Sequence, residues 1–135
     1  MTTSQQTDPT QLEQDDILWE QLKALPAFRA LLRSVETRFY HAVDLPRPIL
    51  DIGSGDGHFA EATFSAPLDV GIDPWWGPMM RAKEVGAHSH LIQCMGDQMP
   101  LPSNHFGSVI SNSVLEHIPD VQAVLNAASR VLRPG

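Results

Sequence analysis

Cysteine is almost missing from this chain. The single residue, Cys94, excludes a disulfide within it and fits a reducing, cytoplasmic setting. Long apolar runs are missing too: nothing approaches the roughly 20 consecutive apolar residues that span a membrane, so no membrane partner is expected. The first ten residues, Met-Thr-Thr-Ser-Gln-Gln-Thr-Asp-Pro-Thr, lack the charged-then-apolar pattern of a secretory signal. Positive charge is scarce, with 9 Lys and Arg against 16 Asp and Glu and a formal net charge of −7. Nucleic-acid binders usually carry basic patches, so this balance argues against a nucleic-acid partner. His41, His88, His90 and His105 are scattered, without cysteine or carboxylate partners at metal-ligand spacing, and no metal site is expected. What is left is an ordinary globular composition, 42% apolar and 19% charged, in 135 residues. That length suits one domain able to bury roughly two-thirds of its unfolded surface.

Against this background residues 49–57, Ile-Leu-Asp-Ile-Gly-Ser-Gly-Asp-Gly, carry the most information. An apolar run delivers Asp51 into a loop containing Gly53, Gly55 and Gly57, and a helix-like stretch from His58 to Phe64 follows at once. The order reads as strand, tight turn and helix, the opening unit of a parallel α/β sheet whose ligands sit beyond the strand ends. Glycines there let the backbone turn sharply and approach a ligand closely. A nicotinamide or flavin dinucleotide would call for G-x-G-x-x-G and a pyrophosphate on the helix N-terminus. Here the third glycine, Gly57, comes two residues after Gly55, and His58 holds the place that the fingerprint reserves for glycine. Asp51 would also repel a pyrophosphate, whereas it suits a ligand with an ammonium group. S-adenosylmethionine has one, with a sulfonium and no phosphate.

The pattern Asp51-x-Gly53-x-Gly55-x-Gly57 resembles motif I of the class I S-adenosylmethionine-dependent methyltransferases, in the branch acting mostly on small molecules (type 11-like). Four further segments are similar to that family in order. Leu68-Asp-Val-Gly-Ile-Asp73-Pro74 resembles its second strand with the ribose-binding acid, and Gly96-Asp97-Gln98-Met-Pro-Leu-Pro102 its adenine-binding turn. Phe106 to Pro119 resembles strand four and the turn beyond it, and Arg130-Val-Leu-Arg-Pro-Gly135 the lead into strand five. The resemblance covers residues 48–135. It implies S-adenosylmethionine as cofactor, S-adenosylhomocysteine as product and a small-molecule methyl acceptor. It places Asp51 and the backbone carbonyl of Ser111 toward the methionyl ammonium, with Gly53, Ser54 and Gly55 leaving room for the ligand. It sets Asp73 on the ribose diol and Pro74 flat against the adenine. Asp97 would accept from the adenine amino group while the Gln98 backbone N–H donates to the ring. His117, beside Glu116, is the one candidate for a catalytic group, as a general base, a role imidazole side chains commonly fill; a surface histidine at a helix end is the alternative. Two departures stand out: Trp75 and Trp76 replace small or polar residues and either wall the adenine or pack elsewhere, and Gly107 replaces an aspartate that opens strand four.

Residues 1–10 read as a disordered tail and 11–47 as a helical cap segment. In the cap, Leu18, Leu22 and Leu25, then Phe28, Leu31, Leu32, Val35 and Phe39, recur at helical spacing, and Pro26 separates two helices. In the family such helices commonly roof the substrate pocket. The remainder, 48–135, reads as strands near 48–52, 68–72, 90–94 and 107–112 and helices near 57–64, 78–85 and 120–132. Pro67 and Gly86 stop the first two of these helices; Asp120 caps the third, whose stripe is Val121, Val124, Leu125, Ala128 and Leu132. The expected fold is α/β: a Rossmann-like parallel sheet with helices on both faces, strand order 3-2-1-4, preceded by N-terminal helices. A complete domain of this family has further strands beside the fourth, so the chain is expected to be a truncated methyltransferase domain, weak or inactive alone. Its fourth strand would be an edge prone to self-association. The alternative is a cofactor-binding or scaffolding module without catalysis of its own.

Overall fold

The structure, a computed structural model, describes residues 16–135; the expected disordered tail, 1–10, lies outside the described residues. The chain divides into a helical unit that ends at Val43 and a sheet unit, Asp44–Gly135. In the helical unit α1 (Ile17–Ala24) starts at Asp16, whose carboxylate accepts the Leu18 N–H at 2.9 Å. Pro26 then serves as the N-cap of α2 (Ala27–His41), because its ring is tolerated at a helix start and not inside one. The face buried on α2 differs from the expected one. Phe28, 74% exposed, and Leu31, Leu32, Val35 and Phe39 all face solvent, while Ala30, Ser34 and Thr37 are buried. Helical spacing identifies residues that share a face but not the face that is covered. Here small and hydroxyl side chains form the covered one, and Ser34 satisfies its hydroxyl by donating to the Ala30 carbonyl at 2.7 Å.

The sheet unit runs β1 (Ile49–Ile52), α3 (His58–Thr63), β2 (Leu68–Asp73), α4 (Trp76–Val85), β3 (His88–Gln93), β4 (Ser108–Ile110), a 3-10 turn (Leu115–His117) and α5 (Val121–Val131). The four strands are parallel in the order 3-2-1-4, the Rossmann-like arrangement expected. Asp51 lies opposite Gly71 on one side and Ile110 on the other. Because side chains alternate along a strand, Leu50 and Ile52 point together into a core completed by Ile72, Met99, Phe106, Val124, Ala128 and Val131. Asp51 points the other way. The buried residues of α5 are thus Val124, Ala128 and Val131, while Val121 and Leu125 are exposed, a rotation from the stripe read off the sequence. Asp120 caps this helix as expected, accepting the Ala123 N–H at 3.1 Å, and Gly86 ends α4 in a left-handed conformation (φ 75°). β3 begins at His88, earlier than expected, which brings that histidine into the sheet.

Gly107 has a packing reason. A Cβ there would lie 2.5 Å from the Pro46 carbonyl oxygen, so the connector before β1 occupies the space that the family's usual aspartate would need. At the other side of β4, Leu132 forms a parallel bridge with Phe106, and the Arg133 N–H donates to the Phe106 carbonyl at 2.9 Å. Gly107, the next residue, bonds instead to Pro48 ahead of β1. Neighbouring strand residues bond to opposite partners, so Leu132 lies on the side of β4 away from β1.

Candidate functional site

The turn after β1 is held by the end of β2. The Gly53 and Ser54 N–H groups both donate to the Ile72 carbonyl, at 2.8 and 3.0 Å. The Gly55 N–H donates to Asp73 Oδ2 at 3.0 Å, and the Trp75 N–H donates to Asp73 Oδ1 at 2.8 Å. Gly53 (φ 79°) and Gly55 (φ 53°) adopt left-handed conformations that cost other residues energy. Any side chain at Gly53 would also run into Val114, whereas the space beside Gly55 is open.

A cavity of about 530 Å³ opens at the carboxyl ends of the strands, the place where open α/β sheets bind ligands. Its size lies within the usual range for small-molecule sites. Ile52 and Gly53 contribute from β1, Ile72 to Trp75 from β2, Cys94 to Asp97 from the turn after β3, and Ser113, Val114 and His117 to Asp120 from the segment after β4. Val124 of α5 joins the apolar wall. The charged lining is one-sided: Asp73, Asp97 and Asp120 are carboxylates, and no lysine or arginine joins them among the described residues. Burial pushes the Cys94 thiol above its ordinary pKa by desolvation.

The residues singled out from the sequence separate into two groups. Gly53, Asp73, Pro74, Asp97 and His117 line the cavity. Asp51, Ser54, Gly55, Gln98 and Ser111 do not, although each lies in or beside a lining segment. The Asp51 carboxylate is buried and bonded to His88 Nε2 at 2.8 Å. Sequence spacing shows no such partner for His88, because the two residues lie 37 positions apart, and the pairing moves the electrostatic argument away from Asp51. The Gln98 N–H, expected as the adenine donor, closes a turn onto the Met95 carbonyl at 3.1 Å. Ser111 Oγ donates to the Ile52 carbonyl at 3.0 Å, tying the end of β4 to the end of β1. Ser54 Oγ is buried without a hydrogen-bond partner among the described residues. Trp75 is 71% exposed at the cavity edge and Trp76 is exposed outside it. His117 is at the rim, largely exposed, with Glu116 Oε1 3.9 Å from its Nε2. Asp120, a helix cap by its sequence, also faces the cavity, and its position just past the loop after β4 is the sign of it in the sequence.

This lining fits S-adenosylmethionine. Asp73 carries two backbone N–H bonds and keeps lone pairs for a vicinal diol, since a carboxylate has about four acceptor positions. Apolar walls from Ile52, Ile72 and Val124 suit a purine, and three carboxylates suit a cation. A pyrophosphate would meet those same carboxylates with no cation to offset them.

A family model described as a methyltransferase domain matches residues 50–135. The chain is 27% identical to the ubiquinone biosynthesis O-methyltransferase of Vibrio atlanticus, over all of its own length and 62% of that protein's. A crystal structure of an S-adenosylmethionine-dependent methyltransferase from Thermotoga maritima superimposes with a TM-score of 0.68 at 19% identity, covering 76% of this chain and 47% of that one. A [4+2]-cyclase superimposes with a TM-score of 0.62 at 20% identity, covering 75% of this chain and 41% of that one. The chain thus spans between 41% and 62% of the length of these proteins.

Proposed function

Because the chain belongs to the methyltransferase-domain family matched over residues 50–135, we propose that its cavity holds S-adenosylmethionine and serves methyl transfer to a small-molecule acceptor. The observation that carries this reading is the acidic, cation-free lining of Asp73, Asp97 and Asp120 at the carboxyl ends of the parallel strands. In this reading Asp73 takes the ribose hydroxyls, and charge-assisted bonds of that kind are stronger than neutral ones. Pro74 and Trp75 border the adenine, and Asp97 accepts from its amino group. The Gly53-Ser54-Gly55 backbone lets the amino-acid part approach, with the buried Ser54 hydroxyl within the same turn as an unused donor. Ser111 and Gln98 hold the adjoining segments in place through the Ile52 and Met95 carbonyls. Asp51 acts from behind the loop.

When bound, the cofactor supplies an electrophilic methyl group on a positively charged sulfur. The chain's part is to exclude water with its apolar walls, to favour the cation with its carboxylates and to fix the geometry of approach. Positioning of this kind contributes up to roughly 7–11 kcal/mol, so the reaction needs no nucleophilic triad. His117 at the rim is the residue placed to accept a proton from an acceptor group. The single cysteine supports a cytoplasmic setting for this activity.

The second reading is a cofactor-binding module that does not itself transfer methyl groups; a [4+2]-cyclase shares the fold, and a fold does not fix the reaction. Thermal shift and calorimetry with S-adenosylhomocysteine against NAD test the cofactor assignment. Stabilisation by S-adenosylhomocysteine is expected; stabilisation by NAD alone would overturn it. Transfer of labelled methyl groups to a panel of small acceptors then separates the two readings.

A further inference from the structure

Asp51 and His88 form a buried pair outside the cavity, from residues 37 positions apart. His88 Nε2 lies 2.8 Å from Asp51 Oδ2, with the imidazole fully covered and the carboxylate nearly so. The space for the ring comes from Gly71, the residue opposite Asp51 in the β1–β2 register. A Cβ at Gly71 would sit 2.7 Å from His88 Cδ2 and 2.9 Å from Ser54 Cβ. The imidazole therefore shares one clearance with the glycine loop, behind the cavity wall. A buried carboxylate without a donor is costly, and no other hydrogen bond to the Asp51 side chain is found among the described residues. With Nε2–H donating to Asp51, Nδ1 becomes an acceptor; it and Ser54 Oγ are the two buried side-chain polar atoms that lack partners among the described residues.

We infer that His88 is a positioning residue for the site: by holding Asp51 over Gly71 and packing beside Ser54, it sets the course of the Gly53–Gly57 loop on which cofactor binding depends. Asp51 is separated only by Ile52 from Gly53, and both Ile52 and Gly53 line the cavity. A shift in the Asp51 side chain therefore reaches the wall within two peptide units. The inference rests on the assignment of the cavity to S-adenosylmethionine, but its first readout does not need the ligand.

Nitrogen-15 NMR of the ligand-free protein should show Nε2 of His88 carrying a proton that is bonded to Asp51, and His88→Leu should move the amide signals of Gly53 and Gly55. His88→Gln places an amide N–H near the original Nε2 and should leave those signals close to wild type. In calorimetry His88→Leu is expected to weaken S-adenosylhomocysteine binding about tenfold or more, since it removes a hydrogen bond to a charged group. His88→Gln should stay within about threefold of wild type. Combining His88→Leu with Asp51→Asn should cost no more than His88→Leu alone. Should His88→Leu fail to unfold cooperatively, His88→Asn, whose shorter amide cannot span to Asp51, takes its place in the same comparison. Unmoved loop signals in the leucine variant, or equal losses for leucine and glutamine, would overturn the inference. A wild-type protein that does not bind S-adenosylhomocysteine, with the loop signals still responding to His88→Leu, would sink the cofactor assignment and leave this inference standing.

Discussion

Each Asp73 carboxylate oxygen accepts one backbone N–H, from Gly55 and from Trp75, and has further acceptor capacity. Replacement of Asp73 by alanine removes the proposed ribose bonds together with the anchor on Gly55. Asp73→Ala should weaken S-adenosylhomocysteine binding by about 1–3 kcal/mol, as read by calorimetry; an unchanged affinity would remove the ribose role. Asp51 shows why an acid's sequence position does not define its partner. It sits in the motif the family uses, yet its carboxylate is bonded to His88, and the acids that line the cavity are Asp73, Asp97 and Asp120. Cys94 gives a pH test. Because burial raises its pKa, the reactive thiolate forms only at higher pH than for an exposed cysteine. Alkylation by iodoacetamide at pH 8 is expected to be slower than for a free thiol, to accelerate as pH rises, and to slow further with S-adenosylhomocysteine present. A rate equal to that of free cysteine would contradict the assigned environment.

At the scale of single elements, α2 is the sharpest case. Its large apolar side chains face water and its small ones are covered, so its sensitivity to mutation should be inverted relative to its hydrophobicity. Phe28→Ser is expected to change unfolding free energy by no more than about 0.5 kcal/mol, as surface substitutions do. Ala30→Leu should destabilise by about 1–3 kcal/mol through overpacking. Chemical denaturation of the two variants checks the order, and a larger loss for Phe28→Ser would mean that its ring is covered after all. β1 and its turn behave differently: one four-residue strand supplies Leu50 and Ile52 to the core and Asp51 to the opposite face, then hands the chain to glycines that no other residue replaces without strain.

Across the whole sheet unit, parallel pairing places the carboxyl ends of all four strands on one side, and the cavity follows from that. β4 stands at one edge, and its outer side is engaged near its start by the Leu132 bridge to Phe106. An edge strand with unpaired backbone groups templates association. Sedimentation velocity over a concentration series is therefore expected to show reversible self-association of this chain; a single monomeric species throughout would argue that the edge is protected.

The sequence by itself determined the order of strands and helices, the Pro26 break, the Asp120 cap and the glycine turn. Those depend on local chemistry: fixed proline φ, a cap one turn from its donor, backbone conformations only glycine tolerates. It also marked Asp73, which ends β2, and Asp97, which lies in the turn after β3. Only the tertiary structure decided which face of α2 is buried, that Asp120 joins the cavity, that Gly107 makes room for Pro46, and that His88 meets Asp51 across Gly71. Each of those is a contact between segments distant in sequence. Periodicity and spacing record what a residue's neighbours along the chain allow, and they are silent about what the folded sheet brings against it.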